Sequence, residues 1–141
     1  MPPRRIPGRV PPEPRVGYSR AVVAAGHVWV SGTAPIPPDG SEPPDGAYGQ
    51  TRLCLEIVEE ALAEAGASLA DVVRTRIFVV PGVDFAQVGR AHWEAFGEIR
   101  PATTGVVVHA LLDRRWLVEL EAEAVLPQPG DAPETFRGET P

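Results

Sequence analysis

Lysine is absent from this chain of 141 residues, in which all 13 basic side chains are arginine. No side chain can therefore form a lysine Schiff base, which excludes that kind of covalent catalysis. The arginines are outnumbered by 19 acidic residues, and the formal net charge is −6. Because nucleic-acid binding requires clustered positive charge, we expect no nucleic acid as a partner.

Disulfides and long apolar runs are also missing. The one cysteine, Cys54, has no partner within the chain. No apolar run approaches the roughly 18 residues of a membrane-spanning helix. The N-terminal MPPRRIPGRV is not followed by a secretory hydrophobic segment. These absences predict a cytoplasmic protein without a membrane partner, and its length fits one domain with a sizeable core.

Proline and glycine, which number 17 and 14, divide the chain into segments. Residues 1–15 are rich in proline and arginine and predict an extended, solvated arm. Residues 16–127 form the predicted domain, and residues 128–141 lack periodicity and are expected to be disordered. Within the domain, the Pro/Gly-rich loop 34–46 is either an inert connection or a lid over a pocket.

The predicted order of elements is β-β-α-β-α-β-β. Apolar residues recur at helical spacing from Cys54 to Ala65, where Gly66 supplies a stop, and Asp84 begins a second helix that ends near Gly97. This order indicates an α+β domain with one sheet and both helices on one face. The predicted strands cover 18–25, 27–33, 72–80, 103–109 and 116–126.

The last two predicted strands are joined by a short polar connection and are expected to pair with each other. The final strand alternates strictly, so its two faces carry different residues. One face is core, and the other carries Glu119, Glu121 and Glu123. Three carboxylates in a row are either a solvated face or part of a site. In the third strand, alternation places Val73 with Thr75 on the core face.

Common catalytic and metal-binding motifs are missing. There is no HExxH, CxxC, GxSxG or phosphate-binding glycine loop, and the three histidines lie on separate elements. We therefore predict no metal site, and we interpret His92 as a partly buried helix residue. What remains near the strand ends is a set of groups suited to a small polar molecule: Tyr18, Arg20, Gly32, Arg90, Thr103 and Glu119.

Four segments in order carry a resemblance to a known family: VGYSRAVVAAGHVWVSGTAPI, ALAEAGASLADVVRTRIFV, DFAQVGRAHWEAFGEIRPATT and LVELEAEAVL. From about Val16 to Leu126 the chain resembles the RidA family, also called YjgF or L-PSP proteins. The resemblance implies a chorismate-mutase-like fold and a homotrimer whose sheets line an inner barrel. It also implies small-molecule clefts between subunits and hydrolysis of enamine or imine intermediates, such as 2-aminoacrylate, without a metal or cofactor.

The resemblance assigns roles to several residues. Glu119 matches the family glutamate that orients or activates water, and Tyr18 and Gly32 match ligand-facing positions. Arg90 occupies a helix position that is often asparagine in the deaminases. The arginine that follows a Pro-Ala pair and holds the substrate carboxylate is replaced here by Thr103.

Thr103 thus indicates a family branch that lacks the arginine, in which standard 2-aminoacrylate deaminase activity is not expected. Arg90 and Arg20 are the alternative sources of a cation. The function predicted first is hydrolysis of enamines, imines or related small compounds. The alternative is a trimer that binds a small metabolite without catalysis. A ribonuclease or inhibitor of translation is disfavoured by the acidic charge.

Overall fold

Six strands form a single mixed sheet in the computed structural model, which describes residues 1–8 and 15–130. Two α-helices cover one face of this sheet, which confirms the predicted α+β architecture. Neither helix is long and apolar enough to cross a membrane. The elements are β1 (Arg4–Ile6), β2 (Ala21–Ala24), β3 (His27–Thr33), α1 (Gly46–Glu64), β4 (Val72–Val79), α2 (Phe85–Phe96), β5 (Ala102–Val107) and β6 (Val118–Val125), with a 3-10 turn at Leu69–Asp71.

The strand order is β1-β2-β3-β6-β4-β5, so the predicted pairing of the last two strands is wrong. β4 lies between them, parallel to β5 and antiparallel to β6. The reason is α2, which connects β4 to β5 as a crossover and returns the chain in the same direction. β6 then enters the centre of the sheet, where it pairs with β3 on its other edge.

The N-terminal arm supplies a sixth strand that the sequence did not predict. Residues Arg4–Ile6 pair with β2 in antiparallel register, and the Ile6 side chain is only 5% exposed. Arg4 Nη1 and Nη2 donate to the carbonyl oxygens of Glu64 and Ala65, at 3.2 and 2.9 Å. These carbonyls end α1, where a cation is favoured by the helix dipole. Arg4 and Arg5 are exposed, as a solvated arm requires, whereas Ile6 is buried in the core; residues 9–14 lie outside the described residues.

The predicted β2–β3 hairpin is confirmed. Its two loop residues, Ala25 and Gly26, both have positive φ angles of 50° and 77°. A two-residue turn of this kind matches the right-handed twist of the strands that it joins.

The faces of the central strands follow the alternation in the sequence, with one exception. In β6 the apolar residues from Val118 to Ala124 are buried and the three glutamates lie on the other side. In β4 the register with β6 shifts between Val72 and Arg74. This irregularity leaves Val73 48% exposed, so its predicted place on the core face is wrong, while Thr75 is fully buried as expected.

The two helices begin and end at recognisable signals. Gly66, at φ 88°, follows the end of α1, and its N–H and that of Ala67 donate to the carbonyls of Ala63 and Leu62. This is a Schellman motif, as the glycine predicted. Asp84 Oδ1 accepts a hydrogen bond from the backbone N–H of Ala86 and caps α2. Cys54 lies on the buried side of α1, where burial raises the pKa of its thiol.

The uncovered sheet face carries an ion-pair network. Arg76 Nη1 lies 2.9 Å from Glu121 Oε1 and 3.0 Å from Glu123 Oε1. Two of the three glutamates in the acidic row are therefore paired with one arginine on the neighbouring strand. Glu119, the third, lies against Gly32 instead. Of the predicted disordered tail, 128–141, residues 131–141 lie outside the described residues.

Candidate functional site

A cavity of about 530 Å³ lies beside Glu119, the first glutamate of the acidic row. Its walls come from β3, the residues that precede β2, the C-terminal half of α1 and the loop that follows β3. The lining is mainly apolar, which suits an organic molecule that is fixed by a few polar groups. The polar side chains of the lining are Tyr18, Arg20, Ser31, Glu60, Glu64 and Glu119.

Gly32 and Glu119 are in close contact. A Cβ atom added to Gly32 would lie 2.6 Å from Glu119 Oε1, closer than two such atoms approach in proteins. Gly32 lies where the register between β3 and β6 shifts, between Val30 and Thr33. The bulge thus brings an exposed backbone segment without a side chain against the carboxylate. A larger residue at position 32 would fill the space that Glu119 occupies.

Arg20 ties this bulge to the start of β2. Its Nη2 atom is 2.8 Å from the carbonyl oxygen of Gly32 and 2.9 Å from Thr33 Oγ1, and it also donates to the carbonyl oxygen of Ser31. Ser31 Oγ donates in turn to the carbonyl oxygen of Ser19 at 2.6 Å. All three contacts use the one Nη2 nitrogen, whose two protons are shared among the three acceptors of the bulge.

Glu119 is half-buried, and its pKa is raised above the ordinary glutamate value. Burial is the main cause, because it penalises the charged carboxylate. The charge of Arg20 acts in the opposite direction, and the nearby carboxylate of Glu121 raises the pKa further. A carboxyl group with a raised pKa is able both to accept and to donate a proton closer to neutral pH.

The loop predicted as either a connection or a lid contributes to the cavity wall through Ala34, Ile36, Pro37 and Pro38. The β5–β6 connection contributes Leu112 and Trp116. Both segments are held by Gln50, which is 3% exposed on α1. Its Nε2 donates to the carbonyls of Pro44 and Arg115, and its Oε1 accepts from the N–H of Leu117.

Gln50, Ile57 and Trp116 were missed by the sequence prediction. Gln50 falls on the apolar side of a helix, where a buried polar residue must find partners, and that was the available signal. Ile57 shares the apolar spacing of α1, but it is only partly buried and lines the cavity. Trp116 had no sequence signal beyond its place before the last strand.

Tyr18 is 39% exposed and lines the cavity together with Gly32 and Glu119, so these three predicted site residues lie together. Arg90 does not line this cavity. Its guanidinium carbon lies 3.8 Å from the centroid of the Tyr48 ring, and its Nε is 3.9 Å from Glu94 Oε1. Tyr48 also donates to Glu94 Oε2 at 2.7 Å. Arg90 thus belongs to a contact between the two helices.

Thr103 also lies away from the cavity. It pairs with Thr75 in the parallel β4–β5 register, on the face covered by helices. Thr75 Oγ1 lies 2.8 Å from both Thr103 Oγ1 and His92 Nε2, and Thr103 Oγ1 donates to the carbonyl of Pro101 at 3.1 Å. Burial lowers the pKa of His92, which favours the neutral ring.

The direction of this chain of hydrogen bonds follows from counting protons. Each threonine hydroxyl has one proton to donate. Since Thr103 donates to Pro101, Thr75 must donate to Thr103, and His92 Nε2–H must donate to Thr75. All three contacts are satisfied at once only when the neutral His92 carries its proton on Nε2.

No group of three or more histidine, cysteine, aspartate or glutamate side chains in residues 1–8 and 15–130 is arranged to hold a metal ion. The cavity instead presents the half-buried Glu119 carboxyl group together with Tyr18 and Arg20, while Glu60 and Glu64 of α1 complete its polar lining. Such a set is suited to orienting a water molecule against a small polar ligand.

Comparison with known proteins finds matches over most of the chain. A sequence model of the family described as endoribonuclease L-PSP matches residues 9–126. The crystal structure of Rv2704 from Mycobacterium tuberculosis, described as a member of the YjgF/YER057c/UK114 family, is 42% identical with a TM-score of 0.80. It covers 89% of this chain and 100% of its own.

Escherichia coli TdcF, provisionally named a reactive intermediate deaminase, is 31% identical over 124 residues, which are 86% of this chain and 92% of TdcF. A crystal structure of TdcF with bound serine superposes with a TM-score of 0.74 at 30% identity. The superposition covers 87% of this chain and 94% of that one.

Proposed function

Because the chain belongs to the endoribonuclease L-PSP family, also called RidA or YjgF, we propose that it is a hydrolase of small enamine or imine intermediates. The observation that carries the proposal is the half-buried Glu119 carboxyl, which lies against Gly32 at the cavity and has a raised pKa. TdcF, whose provisional name is reactive intermediate deaminase, supports the same chemistry.

The proposed reaction consumes one water molecule. An enamine is first protonated on carbon, which gives an iminium ion, and loss of an N–H proton from this ion leaves the imine. The Glu119 carboxylate accepts a proton from water as the water oxygen bonds to the imine carbon, and the C=N electron pair moves to nitrogen, which takes up a proton. Loss of the hydroxyl proton from this intermediate forms C=O, the C–N bond breaks, and ammonia leaves with the released proton. The net change is imine plus water to carbonyl compound plus ammonia.

The substrate is expected to differ from 2-aminoacrylate. Thr103 stands where the family arginine holds a carboxylate, and its hydroxyl is engaged by Thr75 and Pro101. A lost charge-assisted pair weakens binding by roughly 1.5–3 kcal/mol, about one to two decades in affinity. We therefore expect imines that lack a carboxylate to be processed better than 2-aminoacrylate.

The proposed assembly is a homotrimer in which clefts between subunits complete the site. In one subunit Thr103 and Glu119 lie on opposite faces of the sheet, so a cleft that uses both requires a second copy. Every residue of β5 is exposed, including Val106 at 41% and Val107 at 68%. Light scattering during size exclusion is expected to give about three times 15.1 kDa. A monomer would contradict the shared cleft.

The catalytic proposal is tested by ammonia release from imines that are generated enzymatically in the assay. We expect Glu119→Gln to lower the rate at least about a hundredfold, since general acid–base catalysis contributes about 10²–10⁴-fold. Glu123→Gln is the matched control, because Glu123 lies on the same strand face but pairs with Arg76. Equal rates in wild type and Glu119→Gln would contradict the proposed role.

The second candidate is a trimer that binds a small metabolite without turnover. The mainly apolar lining of the cavity and the threonine at position 103 favour it. Serine is a suitable first probe because it is bound in a TdcF crystal structure. Stabilisation by serine or imine analogues in a thermal-shift assay, with no ammonia release from any imine, would favour this candidate over the hydrolase.

A further inference from the structure

Arg20 is the residue beside Glu119 whose role the proposed reaction leaves open. It directly precedes β2 and lines the same cavity as Glu119. A basic residue in such a place suggests a cation for an anionic ligand. The geometry favours a different use, because Arg20 Nη2 contacts acceptors of the bulge at Ser31, Gly32 and Thr33.

These contacts connect Arg20 to the position of Gly32. The Ser31 N–H donates to the carbonyl of Arg20 at 3.0 Å, so both the backbone and the side chain of Arg20 hold this segment. Paired strands normally keep one register, and this bulge departs from it between Val30 and Thr33. The departure exposes carbonyl groups that the ladder does not satisfy, and Arg20 supplies donors for two of them.

We propose that Arg20 is a positioning residue for Glu119, which holds the bulge so that Gly32 lies against the Glu119 carboxylate and which places a positive charge beside it. The inference rests on the proposed function only for its effect on turnover. The effect on the carboxyl group itself is independent of any reaction.

The charges around Glu119 agree with this role. Arg20 is the group that lowers the pKa of Glu119, against the upward effects of burial and of Glu121. Without Arg20, burial and Glu121 would remain, and both of them raise the pKa of Glu119. The other titratable groups that line the cavity or feel the Glu119 charge are Tyr18, Glu60 and Glu64 at the cavity wall and Cys54 within α1.

The direct test is an NMR titration of the Glu119 side-chain carboxyl in the full chain, assigned by its loss in Glu119→Gln. We expect Arg20→Gln to raise the Glu119 pKa. Arg20→Lys keeps the charge but not the guanidinium group that reaches the bulge, so we expect a smaller rise. Arg4→Gln is the matched control, because Arg4 also bonds two backbone carbonyls, and it is expected to leave the titration unchanged.

The second readout is turnover as a function of pH. We expect Arg20→Gln to lower kcat by about tenfold to a hundredfold, as a displacement of about 1 Å does for positioned groups. KM is expected to change little, because Arg20 acts through Glu119 rather than on the substrate. The acid limb of the profile is expected to move to higher pH together with the NMR titration.

A Glu119 pKa that is unchanged or lowered in Arg20→Gln would overturn the inference, whether or not the protein turns over imines. A raised pKa with no turnover in the wild type would uphold the inference and contradict the hydrolase. Should Arg20→Gln fail to fold, Arg20→Lys decides the question. A rise in its Glu119 pKa would support the positioning role, and an unchanged value with unchanged kcat would overturn it.

Discussion

At the scale of single residues, the candidate site depends on the difference between Glu119 and the other two glutamates of its row. The sequence treats all three alike, since they share one face of β6. Arg76 binds the later two, and Glu119 instead meets Gly32 and the charge of Arg20. A surface ion pair of this kind contributes about 0–1 kcal/mol to stability and occupies both carboxylates with Arg76. Glu119 is therefore the member of the row suited to chemistry.

Gly32→Ala is expected to separate activity from stability. The added Cβ would meet the end of the flexible Glu119 side chain rather than backbone, so the carboxylate moves and the fold remains. We expect a change of about 0.5 kcal/mol or less in the free energy of unfolding. Imine hydrolysis is expected to fall by about tenfold to a hundredfold.

Gly89→Ala provides the control for Gly32→Ala. Gly89 lies inside α2 with open space around its Cβ position, so alanine is expected to stabilise the protein by about 0.4–1 kcal/mol without a change in turnover. Full activity in Gly32→Ala would show that the position of the Glu119 carboxylate is not critical.

At the scale of elements, two features of the sheet differ from the local pattern of the sequence. β5 lies beside β4 because α2 returns the chain in parallel, and β1 extends the other edge of the sheet. In both cases the pairing partner is distant along the chain. Alternation of residues identifies a strand and its faces, but it carries no information about the neighbour.

The Thr75 contact joins β4, β5 and α2, and Thr75→Val tests its strength. Thr75 is fully buried, and valine keeps its shape while removing both hydrogen bonds. We expect a loss of about 1–3 kcal/mol in the free energy of unfolding, because His92 Nε2–H is left buried without its acceptor. Thr104→Val, at the next position of β5, is the control, because Thr104 is exposed, and its free energy of unfolding is expected to stay within about 0.5 kcal/mol of the wild type.

Nitrogen NMR of the His92 ring tests the same contact in the wild type. The expected signal is that of a neutral ring protonated on Nε2. A ring protonated on Nδ1 would contradict the direction of donation from His92 through Thr75 to Thr103.

Ile6→Ala tests whether β1 is an integral strand. Ile6 is 5% exposed in the core, so its truncation is expected to cost about 2–5 kcal/mol in chemical denaturation. The same truncation of Val16, which is 73% exposed, is expected to cost about 0.5 kcal/mol or less. Equal, small losses in both variants would restore the solvated arm that the sequence predicted.

At the scale of the whole molecule, Glu119 lowers the free energy of unfolding by an amount that depends on pH. The pKa of Glu119 is raised in the folded state, so folding favours its protonated form. Below the unfolded pKa both states are protonated and no cost arises. As pH rises through the unfolded and then the folded pKa, the buried carboxylate becomes ionised and destabilises the fold.

Glu119→Gln is therefore expected to raise the melting temperature at pH 7 and to leave it nearly unchanged at pH 3. Glutamine keeps the size of the side chain and carries no charge at either pH. Glu123→Gln is expected to show the reverse effect at pH 7, because it removes a carboxylate bound by Arg76. A melting temperature that falls at pH 7 in Glu119→Gln would mean that the carboxylate stabilises the fold.

Much of the fold was determined by the sequence alone. Strict alternation placed Val118 to Ala124 in the core, a stop glycine ended α1 at Gly66, and Asp84 capped α2. These signals are local, because a strand face, a left-handed cap and a side-chain cap each depend on residues within one or two turns of the chain. Resemblance to the RidA family added Tyr18, Gly32 and Glu119 as a group, and the structure brings these three residues together.

Tertiary structure alone decided which groups act on Glu119. Arg20 is 99 positions away along the chain, and its guanidinium meets Gly32 only because β2, β3 and β6 lie side by side. The same packing pairs Arg76 with Glu121 and Glu123. It also places Thr75 within hydrogen-bond distance of both Thr103 and His92. Burial and charge act through space, so the pKa of a carboxyl group follows from its neighbours in the fold and not from its neighbours in the sequence.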